Sequence, residues 1–140
     1  MQSKRNVIVG THNGIFHSDE VVACAIIKLM VEKLYPLQRS VEVIRTRDLN
    51  VLNNECDYVV DVGGGKFDHH QKGGNGKRKN EIKFAAFGLL WQEYGKQYLK
   101  NINAQNLEDC FEMFDKSFVQ FIDAGDNGQI EYEKIDIKLV

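Results

Sequence analysis

Three short runs rich in β-branched residues, 6–11 (NVIVGT), 41–46 (VEVIRT) and 58–62 (YVVDV), are separated by segments with helical periodicity. Strands alternating with helices join through crossovers, so this order predicts a parallel sheet flanked by helices, an α/β architecture. After the first run, Ser18 precedes Asp19 and Glu20, acids that favour a helix N-terminus. Val21, Val22, Ala25, Ile26, Leu29 and Met30 follow at helical spacing. That helix is expected to reach Tyr35 and stop before Pro36. A short helical turn is expected over 48–54, and Gly63, Gly64 and Gly65 close the third strand. Further on, 84–99 places Phe87, Leu90, Trp91 and Tyr94 on one stripe, and 107–122 places Phe111, Phe114, Phe118 and Phe121 on another. Both stripes are expected in the core. The tail 130–140 alternates loosely and reads as an edge strand or the start of a longer element.

A chain of 140 residues suits one domain spanning 1–140. A net charge of −2 argues against bulk attraction of nucleic acid, so a polyanion would have to be held by a local basic patch or by bound metal. No long uncharged apolar run occurs, and residues 1–5 lead into a strand rather than a signal-peptide core. The expectation is a soluble, cytoplasmic protein with no membrane partner. Cys24, Cys56 and Cys110 are odd in number and widely spaced, which suggests buried, inert thiols rather than a disulfide framework or a CxxC metal site.

The four histidines all lie in two loops that follow strands. His12 and His17 sit between the first strand and its helix, with Asp19 in the first helical turn. Asp61 ends the third strand, and Asp68-His69-His70 follows. Ligands of α/β sheets gather at the carboxyl ends of strands, so these loops can converge there. Asp123 or Asp126, after the last helical stripe, can close the cluster from a third side. Carboxylates so gathered repel by about 4 kcal/mol per pair at about 4 Å and an effective dielectric near 20, a penalty that a divalent cation removes. A His/Asp set without cysteine suits Mn²⁺, Fe²⁺, Co²⁺ or Zn²⁺ better than Ca²⁺. Two such ions about 3.5–4 Å apart, bridged by Asp61, would activate a water for attack on a phosphorus ester.

Each signal has a plainer reading. Asp-His-His alone is as readily a hydrogen-bonded turn, Asp19 a helix cap, and Asp123 or Asp126 an Asx turn. Their joint occurrence at successive strand ends favours metal. The glycine-rich basic stretch 72–83 is expected to stay unpacked; beside a metal site, Lys72, Lys77, Arg78 and Lys79 would hold substrate phosphates. Gly63-Gly64-Gly65 is no P-loop, since the lysine and hydroxyl residue are missing.

Five segments in order, His12 to Glu20, Asp61 to Gly64, Phe67 to Gly73, Lys83 to Trp91 and Asp123 to Gly128, resemble the melanocyte-proliferating-gene family of the DHH phosphoesterase superfamily. The resemblance implies a DHH-like N-terminal domain and a metal-dependent hydrolase, with a 3′-to-5′ RNA exonuclease among its members. It implies two divalent ions, with Mn²⁺ favoured and Mg²⁺, Co²⁺ or Zn²⁺ as alternatives. By position, His12, His17 and Asp61 would hold one ion, and Asp19, Asp61, His69 and Asp123 the other, with Asp126 as the alternative last ligand. His70 would face the scissile phosphate and Asp68 would orient the histidines. The superfamily has an aspartate where His17 stands. Family members run more than twice this length, with a C-terminal domain that closes over the site. Single-stranded RNA or oligonucleotides are the implied substrates. A small-molecule phosphatase or pyrophosphatase and a non-catalytic metal-binding module are the alternatives, and the protein partner is a second copy of the chain or that C-terminal domain.

Overall fold

The computed structural model describes residues 6–34 and 40–130. Strands β1 (Val7–Thr11), β2 (Val41–Arg45) and β3 (Tyr58–Val59) form a parallel sheet in the order β2-β1-β3. The register pairs Val7 with Val41 and Thr11 with Arg45, which sets Val7, Val9, Thr11, Val41, Val43 and Arg45 on one face. That face meets helices α1 (Ser18–Leu34) and α3 (Ala86–Asn101), whose Ala23, Ile27, Phe87, Leu90 and Trp91 are almost wholly buried with Val9. Helix α2 (Leu49–Glu55) covers the other face, capped by Asp48, whose side chain accepts from Asn50 N at 2.8 Å. It lies so close that a Cβ on Gly10 would fall 2.7 Å from Leu52.

The α/β reading thus holds, and four local expectations change. The third strand is shorter than 58–62: Val60 makes a single bridge to Phe67, and Asp61 turns left-handed with φ at +57°. The basic stretch is not an unpacked loop. Lys77 and Lys83 pair across a small antiparallel turn, with Arg78 N donating to Ile82 O at 2.9 Å. The last aromatic stripe is broken as well. Helix α4 (Leu107–Phe114) passes through a π-helical segment (Asp115–Val119) into α5 (Gln120–Asp126). A π turn inserts a residue and rotates the helix beyond it. Phe111, ahead of that segment, stacks on Trp91 with ring centroids 5.4 Å apart, while Phe118 and Phe121 reach solvent and Val119, Asp123 and Ala124 turn inward. The three cysteines are free and half-buried rather than buried, and burial pushes the Cys24 thiol up to about 11. The stop at Pro36 and nearly all of the 130–140 tail lie outside the described residues.

Candidate metal centre

Asp61 is the hub. Its backbone N–H donates to Phe67 O at 2.8 Å, which closes the 61–67 loop and returns the chain to the sheet edge with Asp68, His69 and His70 in position. The loop needs left-handed residues: Gly63 and Gly64 have φ of +84° and +70°, and Gly64 N donates to Asp68 Oδ2 at 2.7 Å. Asp61 adopts the same region without glycine's freedom, a strain of the kind that collects at functional sites.

Three sets of ligand atoms, each within 4.8 Å of one another, share Asp61: His12, His17 and Glu20; Asp68, His69 and His70; and Asp19, His69 and Asp126. Asp19 is fixed from below by α3, whose first amides, Ala86 N and Phe87 N, donate to its two oxygens at 2.9 and 2.7 Å. His69 gives one ring nitrogen to Asp126 at 2.8 Å and turns Nδ1 toward Asp61 Oδ1 at 3.3 Å. His70 is exposed and tethered through Nδ1 to Asp68 Oδ1 at 2.9 Å.

Burial and the close approach of charged groups set the electrostatics of the cluster. Burial, with the charges of Asp61, Asp126 and Asp123, raises Asp19 to about 8 although the Phe87 N–H opposes it. Burial also raises Asp61, against the pull of His70, His69 and His12. For Asp126, burial is outweighed by the His69 hydrogen bond and the neighbouring histidines, and its pKa falls. For His69, burial opposes the charged ring, but the hydrogen bond to Asp126 and the charges of Asp61, Asp126 and Asp19 prevail and its pKa rises.

Buried polar atoms without partners test whether a cation fits. Among the described residues, His12 Nε2, both Asp61 oxygens, His69 Nδ1 and Glu20 Oε2 have no hydrogen-bond partner. Such atoms are rare in folded proteins and call for an explanation. A divalent ion beside Asp61 supplies one, and the oxygen and imidazole donors suit it. His12 fits less simply. Gly14 N–H donates to its Nδ1 at 3.0 Å, which leaves the proton of the neutral ring on Nε2, the edge facing Asp61 at 3.3 Å and Glu20 at 3.4 Å. Ligation through Nε2 requires that proton to move and the Gly14 contact to change.

Asp123 stands apart from these sets. Its Oδ2 accepts from Arg78 Nη1 at 2.7 Å and its Oδ1 from Gly88 N at 2.9 Å, and burial lifts it to about 6 despite Arg78. Arg78 also binds Asp115 through Nε at 2.9 Å and Nη2 at 2.7 Å, with its guanidinium 4.4 Å from the Phe84 ring centroid. A side chain so committed is structural, and the expectation that it holds substrate phosphates does not fit its burial. Lys72, Lys77 and Lys79 are exposed, and Lys77 pairs with Glu81.

A profile of the MYG1 exonucleases, described as an uncharacterised protein family (UPF0160), matches residues 8–139. The chain belongs to the MYG1 family. It is 36% identical to the human MYG1 exonuclease over 138 residues, which cover 86% of this chain and 35% of that protein. It is 36% identical to the MYG1 protein of Schizosaccharomyces pombe over 141 residues, covering 90% of this chain and 41% of that one. The chain thus spans about two-fifths or less of these curated relatives. No solved structure matches it.

Within this MYG1 chain, sequence reasoning missed Glu20 and Asp115 and gave Arg78 a different role, that of holding substrate phosphates. Glu20 reads as one more acid in a first helical turn, yet it is almost wholly buried and also accepts from His17 N at 2.7 Å. Its signal was proximity: with Asp19 it puts two acids within three residues of His17. Arg78 and Asp115 are 37 residues apart and carry no local signal of their pairing.

Proposed function

We propose that residues 1–140 form a single DHH-type domain that binds two divalent ions, Mn²⁺ foremost, and hydrolyses phosphodiesters, acting as a 3′-to-5′ exonuclease on single-stranded RNA or oligonucleotides. One observation carries the reading: Asp61, buried with both oxygens unpartnered, is shared by all three ligand sets. The names of the MYG1 exonucleases, borne by relatives such as the human protein, support the choice of a nucleic-acid ester.

In this reading Asp61 would be shared between the two ions, with His17, Glu20 and, once its ring proton has moved, His12 holding one, and Asp19, His69 and Asp126 holding the other. Asp126 replaces Asp123 as the last ligand, because Asp123 is consumed by Arg78 and the α3 amide. Bound divalent ions would supply charge neutralisation and activation of a water. Asp68 Oδ1 accepts a hydrogen bond from His70 Nδ1–H and fixes the ring; with the ring protonated on both nitrogens, Nε2–H would donate to a phosphate oxygen or the departing oxygen.

The test is cleavage of 5′-labelled single-stranded RNA and of bis-p-nitrophenyl phosphate with Mn²⁺, beside Asp61→Asn. Loss of a partner one shell out costs a metal site about 10–100-fold, so losing the shared ligand should cost activity at least about 100-fold. A ladder of products shortened from the 3′ end supports the polarity. An unchanged rate in Asp61→Asn, or no turnover of either ester by a metal-loaded chain, refutes the reading.

A further inference from the structure

A cleft of about 310 Å³ opens beside the cluster, between α1 and the carboxyl ends of β1 and β2. Its position follows from topology. The chain leaves β1 for α1 on one face and β2 for α2 on the other, and adjacent parallel strands whose connections diverge leave a crevice between their ends. The volume is at the small end of the range for ligand sites.

The walls are apolar and the floor is closed by buried side chains. Val21 and Val43 line the sides and stay 47% and 46% exposed, while Thr11 and Glu20, also lining, are each 1% exposed. Over the lip stands Phe16, 61% exposed, and the Arg45 guanidinium lies 3.8 Å from its ring centroid while donating to Gly14 O. Ring and guanidinium thus form one stacked, anchored shelf. Arg47 adds a second cation, its Nη2 being 3.5 Å from where a Cβ on Gly14 would sit.

We infer that this cleft is a nucleobase pocket serving the neighbouring cluster, an assignment that rests on the phosphodiesterase reading above. A base is flat and apolar on its faces, so it packs between the valines and the Phe16 shelf. An alkyl chain would fill the walls but gain nothing from the cation-backed ring of Phe16 or from the charges of Arg45 and Arg47. Arg45 and Arg47 draw the attached phosphate toward the cluster, which is adjacent: Glu20 Oε1 lies 3.4 Å from His12 Nε2. The lysines of the basic stretch, by contrast, present charge without an aromatic platform.

The experiment compares binding of a nucleoside 5′-monophosphate and of ribose 5-phosphate by calorimetry, in the chain and in Val43→Trp, which fills the cleft from a half-exposed position. Phe16→Leu, at an exposed site, is the second variant, and circular dichroism checks the fold of both. Base stacking on one aromatic side chain multiplies affinity about 5–150-fold. The mononucleotide is therefore expected to bind at least about fivefold more tightly than ribose 5-phosphate, with Val43→Trp abolishing the difference and Phe16→Leu reducing it. Equal affinity for the two ligands, or a preference that survives Val43→Trp, overturns the pocket. Hydrolysis of bis-p-nitrophenyl phosphate, run in parallel, reports separately on the phosphodiesterase reading, because the binding arm needs no turnover.

Discussion

Replacing Arg78 with methionine is expected to cost the fold more than any other single surface-loop change, although Arg78 lies in a basic, glycine-rich stretch. Its side chain is 8% exposed, and its partners Asp115 and Asp123 are 10% and 0% exposed. Three charge-assisted hydrogen bonds of 2.7–2.9 Å satisfy one guanidinium with two carboxylates. Methionine keeps much of the stem but strands both acids away from water. Breaking a buried ion pair by removing one partner costs about 3–5 kcal/mol. With a urea slope of about 2 kcal/mol/M, the midpoint should fall by about 1.5–2.5 M. Arg78→Lys keeps the charge without the two-pronged geometry and should fall between. Adding Asp115→Asn to Arg78→Met removes one stranded charge and should recover part of the loss. Urea denaturation followed by Trp91 fluorescence reads all three. A midpoint shift below about 0.5 M for Arg78→Met would refute the reasoning, since a buried pair could not be lost so cheaply.

Asp126→Asn should weaken Mn²⁺ binding at least about tenfold by calorimetry, whereas Asp123→Asn should mainly lower the urea midpoint; the reverse pattern would restore Asp123 as the ligand. Divalent metal should stabilise the chain: at a free concentration about 100 times Kd the gain is about 2.7 kcal/mol, or about 8–10 °C in Tm for this size, reversed by chelation. The Gly14 amide signal should move in the same titration, because ligation through His12 Nε2 transfers the ring proton to Nδ1, where Gly14 N–H now donates; a stationary signal in a metal-loaded sample would exclude His12 as a ligand. Gly88→Ala places a Cβ 1.8 Å from Asp123 Oδ2, so it should destabilise by about 1–3 kcal/mol despite alanine's better helix propensity, as measured by urea denaturation.

The features disclosed by the sequence and those concealed in it divide along one physical line. Features set by local pattern were legible: the strand-helix alternation, the amphipathic α1, and the gathering of His12, His17, Asp61 and His69 at strand ends, which follows from topology once the strands are placed. Features set by pairing across the fold were not. Asp115 sits in an aromatic stripe and reads as its polar gap, yet the π segment turns it inward to meet Arg78; no periodicity announces a register shift that is stabilised by a partner 37 residues away. The same shift decides the site. Because Arg78 and the Gly88 amide take Asp123, the next acid on α5, Asp126, is the one brought to His69 and Asp61. The buried triad is therefore more than ballast in the core: it is the device that sets the rotation of α5, and so selects which aspartate the cluster receives. A change that releases Arg78 should alter the composition of the cluster before it unfolds the chain.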